Sequence, residues 1–136
     1  MFKQDDRIRA LIVDDAAGVR RDLRLLLEIA GDLRVVGEAE NGAQAVEQAT
    51  ALRPDVVIMD LAMPVMDGCQ AATRIKSHAT DCRIVALTVH NTETSRQEAC
   101  AAGFDAYVVK GAPLAELLGA IGSRRTKDPS ETGGLS

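Results

Sequence analysis

Four apolar runs, each ending on a residue that can do chemistry, constrain this chain more than any other feature of it. Ala10-Leu11-Ile12-Val13 leads into Asp14 and Asp15, Val56-Val57-Ile58-Met59 into Asp60, Ile84-Val85-Ala86-Leu87 into Thr88, and Tyr107-Val108-Val109 into Lys110. Continuous runs without period-two alternation fit short strands covered on both faces. If all four are parallel strands, three carboxylates, a hydroxyl and an amine converge on one edge of one sheet. That edge is where open α/β sheets place their sites. Such a gathering points to phosphate chemistry assisted by a divalent cation.

Helix-like segments separate the strands. After the first strand, over 8–13, come Val19, Leu23, Leu26, Leu27 and Ala30 at helical spacing, with Arg20, Arg21, Arg24 and Glu28 on the opposite side. Gly31 is the expected stop. A second strand is expected over 33–38. Asn41 is placed to cap the next helix, with Gln44 as the reciprocating member of a capping-box-like pair, and Pro54 ends that helix. The third strand covers 55–60 and a loop 61–68, in which Pro64 extends Met63 and Asp67-Gly68 is turn chemistry. A third helix over 69–77 precedes the fourth strand, 83–88. Asn91 or Thr92 caps a polar helix through Ala102, and Gly103 stops it. The fifth strand is 106–109. Leu114, Leu117, Leu118 and Ile121 then form the i, i+3, i+4, i+7 stripe of a last helix. From residue 125 to 136 the chain is polar with Pro129, Gly133 and Gly134, the expectation for a mobile tail or truncated linker.

Strand–helix alternation means an α/β doubly wound parallel sheet, here of five strands and five helices. Strands one, three and four are the most apolar and belong in the centre, whereas Arg34 and Glu38 suit strand two to an edge. The flavodoxin-like order 2-1-3-4-5 meets both conditions and puts its switch point between strands one and three, where Asp14, Asp15 and Asp60 stand.

Composition narrows the partners. With 136 residues and 46% hydrophobic content, the chain can bury one ordinary core. A net charge of −4 disfavours direct nucleic-acid binding. Cys69, Cys82 and Cys100 form an odd set without a CxxC pattern; they read as small buried apolar residues in a reducing cytoplasm. No signal-peptide core is evident at the start, and no apolar run approaches the roughly 20 residues that span a bilayer.

Each chemical residue has a bland reading. Asp14 and Asp15 alone read first as helix caps. Thr88 alone is a good strand residue, and Lys110 alone a solvated side chain. Asp60 is harder to dismiss, because an acid ending a wholly apolar strand is costly to desolvate without compensation. Three clustered carboxylates also repel, and a cation reverses that. A carboxylate can further act as a nucleophile toward phosphorus. There is no P-loop, GxGxxG or nucleophile elbow, and His78 and His90 lack metal-ligand spacing.

Val13-Asp14-Asp15, the stretch Met59-Asp60-Leu61-Ala62-Met63-Pro64-Val65-Met66-Asp67-Gly68, Leu87-Thr88 and Tyr107-Val108-Val109-Lys110 together resemble the receiver domain of two-component response regulators. All motifs occur in order, over about residues 7–124. Val35-Val36-Gly37-Glu38-Ala39 and Leu87-Thr88-Val89-His90 are similar to the subfamily with a LuxR-type helix-turn-helix output, for which the 136 residues hold no counterpart. The resemblance implies that Asp60 accepts phosphate from a sensor histidine kinase or phosphotransfer protein, and that Asp15, Asp60 and the Ala62 carbonyl ligate Mg²⁺, with Asp14 acting through water. It implies that Thr88 and Lys110 bind the phosphoryl oxygens and that Thr88 and Tyr107 are the switch pair. The face made by the fourth helix, fifth strand and fifth helix would then serve a homodimer or an output partner, and the chain would be a signalling switch rather than an enzyme. Two departures stand out. Gly111 follows the lysine where the family often has a cis proline, and a non-prolyl cis bond costs about 2.5–4 kcal/mol. Val89 is large for its position. A competing class, an aspartate-nucleophile phosphatase of haloacid-dehalogenase type, needs a second acid two residues past the nucleophile, and that residue is Ala62. A flavin-binding reading fails on the acidic crevice, which repels a phosphate.

Overall fold

The computed structural model describes residues 6–30 and 32–122. Its elements alternate as β1 (Ile8–Val13), α1 (Ala17–Ile29), β2 (Leu33–Ala39), α2 (Gly42–Leu52), β3 (Val56–Met59), α3 (Gly68–His78), β4 (Arg83–Thr88), α4 (Glu93–Ala102), β5 (Ala106–Val109) and α5 (Leu114–Ile121). The five strands form one parallel sheet in the order β2-β1-β3-β4-β5. The expected fold class and strand order are therefore correct. β2 runs one residue longer than expected, because the β1–β2 register slips between Ala10 and Leu11 and leaves an extra residue on the edge strand.

Alternation along the central strands divides the core in two. Leu11, Val13, Val57, Met59, Ile84 and Ala86 face α2, α3 and α4, which answer mostly with alanines: Ala45, Ala49, Ala71, Ala72 and Ala99. Ala10, Ile12, Val56, Ile58 and Val85 face the other way, against Leu23 and Leu27 of α1 and Leu117 and Ile121 of α5. Small residues let one helical layer approach the sheet closely; larger aliphatics fill the other. With almost no aromatics, the core rests on such side chains, each worth about 1.5–3 kcal/mol when fully buried as Val, Leu or Ile.

Helix ends refine the expected picture. Asn41 caps α2 through the Gln44 amide at 2.9 Å, but the Gln44 side chain reaches Glu40 N, not Asn41 N. A full capping box stands instead at Asp67 and Gln70 of α3, where a turn was expected and the helix starts one residue earlier. Thr92, not Asn91, caps α4, and Gly103 ends it in the left-handed region at φ 114°. Ala16 is the α1 N-cap and makes no side-chain cap bond; Asp14 serves the helix start only through Oδ1, which accepts from Ala16 N at 2.9 Å. The second Asp14 oxygen and the Asp15 carboxylate are available to the sheet edge. The expected Gly31 stop and the 125–136 tail lie outside the described residues; α1 ends at Ile29, with Ala30 as its C-cap. Cys82 is buried and Cys69 half-buried, whereas Cys100 is exposed on the outer side of α4, which corrects the reading of all three as core residues. Burial pushes the Cys82 thiol up to about 11.

Candidate functional site at the C-terminal sheet edge

β1 and β3 are paired so that Val13 opposes Met59, and the next residues along the two strands are Asp14 and Asp60. Both continue the ladder by one bond, Asp60 N to the Val13 carbonyl at 3.0 Å and Asp14 N to the Ala39 carbonyl at 3.1 Å. Their side chains are thus delivered to one crevice by backbone register. Asp14 and Asp60 are only 4% and 8% exposed, while Asp15 is exposed. One carboxylate oxygen from each of Asp14, Asp15 and Asp60 lies within 4.8 Å of the others.

Lys110 joins them from the far side. Its backbone N–H extends the β4–β5 ladder to the Thr88 carbonyl at 2.8 Å. Its ammonium then reaches past β4 to Asp14 Oδ2 at 2.7 Å and Asp60 Oδ2 at 3.1 Å. Burial opposes the charge on Lys110, but the hydrogen bonds and charges of Asp14 and Asp60 outweigh it and hold its pKa above the usual value. The other oxygens of the two buried acids are held by backbone, Asp60 Oδ1 by Leu61 N at 2.7 Å and Asp14 Oδ1 by Ala16 N at 2.9 Å. Gly68 is required here, since a Cβ on it would collide with the Asp60 carbonyl oxygen. Gly111 occupies φ 97°, closed to proline's fixed φ, and no peptide bond is cis among the described residues.

The structure brings Asp14, Asp15, Asp60 and Lys110 into one cluster. Thr88 lies alongside, fully buried, its hydroxyl accepting from His90 N at 3.3 Å. Ala62 is exposed in the loop two residues beyond Asp60. Tyr107 stands apart from the acids: its hydroxyl donates to the His90 carbonyl at 2.9 Å and the Arg96 guanidinium lies 4.6 Å from its ring centroid. The ring therefore ties β5 to the β4–α4 loop and to α4. One residue given no part in the site by the sequence also reaches it, held by a second. Arg20 donates to the Asp14 carbonyl at 2.7 Å and pairs with Glu38 at 3.0 Å. The usable signal was the four-residue spacing of Arg20 and Arg24 on one helical side, facing the single acid of a paired edge strand.

Three carboxylates facing one ammonium leave an acidic excess built of hard oxygen donors. That donor set fits a divalent cation such as Mg²⁺, which prefers few carboxylates and retained waters.

Comparison with known proteins agrees with this geometry. A family model described as the response regulator receiver domain matches residues 10–122. Response regulator GacA of Pseudomonas viridiflava is 40% identical over 115 residues, covering 84% of this chain and 53% of that protein. Transcriptional regulatory protein LiaR of Bacillus subtilis is 36% identical over 122 residues, covering 90% and 58%. Among solved structures, the response regulator domain of Thermotoga maritima CheB superposes with a TM-score of 0.79 at 32% identity, covering 85% of this chain and 93% of that one. A LuxR-family two-component response regulator from Aurantimonas sp. SI85-9A1 gives 0.80 at 30% identity, covering 93% and 94%. The chain belongs to the receiver domain family of two-component response regulators. It spans just over half the length of the curated relatives named here. Among the described residues no helix is long and apolar enough to cross a membrane.

Proposed function

We propose that this receiver unit, residues 7–124, is a phosphorylation-driven switch in which Asp60 accepts a phosphoryl group from a sensor histidine kinase or phosphotransfer protein. The observation that carries this reading is the Lys110 ammonium set between two buried aspartates, with a third acid beside them. An Asp60 carboxylate oxygen attacks phosphorus as the donor's P–N bond breaks, and the histidine nitrogen keeps the electron pair. Lys110 and the Thr88 hydroxyl then bind phosphoryl oxygens. Asp15, Asp60 and the Ala62 carbonyl would hold Mg²⁺, with Asp14 acting through water. When bound, the ion offsets the negative charge that the acids and the phosphoryl group bring together.

Phosphate beside Thr88 draws the hydroxyl from its contact with His90 N. That disturbs the loop to which Tyr107 is tied, so Thr88 and Tyr107 act as the switch pair and shift a pre-existing equilibrium. The readout face is α4–β5–α5, engaging a second copy or an output partner that controls transcription. The domain itself touches neither nucleic acid nor membrane, works in the cytoplasm, and carries its phosphate as a signal rather than turning over a substrate. Acetyl phosphate with Mg²⁺, followed by intact mass, tests this. A Mg²⁺-dependent adduct abolished by Asp60→Ala is the expected result; an adduct that survives Asp60→Ala moves the acceptor elsewhere.

A further inference from the structure

We infer that Arg20 is a positioning residue for the acidic cluster, aiming Asp15 by clamping the peptide plane between Asp14 and Asp15, and that Glu38 holds Arg20 in place. This rests on the reading of the cluster as a Mg²⁺ site. The two buried acids are fixed through their side chains by Lys110 and by neighbouring backbone N–H groups. Asp15 is exposed, so its aim follows from the backbone that carries it. That backbone turns between β1 and α1 without a side-chain cap. Two bonds grip the turn: Asp14 Oδ1 accepts from Ala16 N at 2.9 Å, and the Arg20 guanidinium donates to the Asp14 carbonyl oxygen at 2.7 Å.

Arg20 is itself pinned. Its Nε bonds Glu38 Oε1 at 3.0 Å, and its side chain is only 15% exposed. Glu38 spends its other oxygen on Arg24 Nε at 2.9 Å, with Arg24 at 37% exposure. A planar guanidinium can serve a carboxylate and a carbonyl at once in fixed geometry, which an ammonium does not reproduce. Arg20 and Arg24 thus share one acid, but Arg20 alone of the two is bonded to the acidic turn. The pair provides a matched experiment.

Electrostatics and positioning predict opposite signs. Deleting a cation near an acidic site tightens divalent-cation binding by Coulomb's law. Losing a residue that orients ligands weakens metal binding, by about tenfold or more. The test is a Mg²⁺ titration of the ¹⁵N-labelled chain, followed by amide shifts of residues 14–16 and 60–62, with urea unfolding run in parallel. Arg20→Ala is expected to raise the half-saturating Mg²⁺ concentration by about tenfold, while Arg24→Ala leaves it within about twofold or tightens it. Arg20→Lys, which keeps the charge and loses the fork, should fall between the parent and Arg20→Ala, and it serves if Arg20→Ala fails to fold. An Arg20 variant that binds Mg²⁺ as well as the parent, or better, overturns the inference and leaves the phosphoacceptor reading intact. Equal weakening in Arg24→Ala assigns the effect to general stability and also overturns it. A parent chain with no saturable Mg²⁺ binding overturns both.

Discussion

Lys110 and Lys76 sit at opposite ends of the same sheet and each reaches across the fold to an aspartate, yet the two regions differ in what they leave over. At the N-terminal edge, Lys76 Nζ bonds Asp105 Oδ2 at 2.8 Å and the Cys82 carbonyl at 2.7 Å. The same Asp105 oxygen accepts from Ile84 N at 2.8 Å. One acid meets one amine there, with backbone filling the remaining valences. At the C-terminal edge, one amine meets two buried acids, and a third, exposed acid stands beside them. The residue types match; the ratio does not. A balanced ion pair ties α3 and β5 to the start of β4, whereas an imbalanced one leaves charge for a cation and a phosphoryl group. The lesson is that function at a sheet edge shows in uncompensated charge rather than in the mere presence of Lys and Asp.

The widest separation of the two regions comes from removing each lysine. Lys110→Met leaves Asp14 and Asp60 without their ammonium, and Lys76→Met does the same to Asp105. Each is expected to lose about 1–3 kcal/mol in Mg²⁺-free urea unfolding, the usual result of stranding a partly buried polar partner. Millimolar Mg²⁺ should then restore most of the loss in Lys110→Met and none in Lys76→Met. Equal recovery in both variants would erase the distinction between the edges.

A smaller effect concerns Glu38, which holds the Arg20 clamp. Burial pushes its pKa up, but the Arg24 and Arg20 bonds and charges prevail and lower it from the ordinary 4.5. The folded state therefore binds the proton less readily than the unfolded chain. The stabilisation is present above the ordinary value and is lost as pH falls through the lowered one. Because the pair is partly exposed, the expected contribution is below about 1 kcal/mol. Urea titrations between about pH 6 and about pH 3 should show a shallower acid limb in Glu38→Gln than in the parent.

Much of this architecture was legible in the sequence because it is local. The run Val56-Val57-Ile58-Met59 with no polar interruption marks a strand covered on both sides, and all four residues are buried. Arg34 and Glu38 marked β2 as an edge, where it lies. The acids and Lys110 were also found, since strand ends of a parallel sheet must gather at one side. What stayed hidden is the pairing. Lys110 and Asp14 are 96 positions apart, and only the sheet order sets the reach between them. The capping reading of Asp14 and Asp15 fell short for a related reason: one Asp14 oxygen does serve the helix start through Ala16 N, but a long-range ammonium claims the other. Arg20 stands on the helix side opposite the apolar stripe, and its immediate neighbours along the chain do not announce Glu38, 18 residues away.

Phosphate on Asp60 is expected to change the C-terminal edge and leave the N-terminal edge alone. Amide chemical shifts with and without beryllofluoride and Mg²⁺, a phosphoryl mimic on Asp60, test it directly. The expected changes fall at residues 14–16, 60–62, 88–96 and 107–111, with the amides of residues 76–84 unmoved. Shifts spread equally over both edges, or absent from 88–96 and Tyr107, would contradict it.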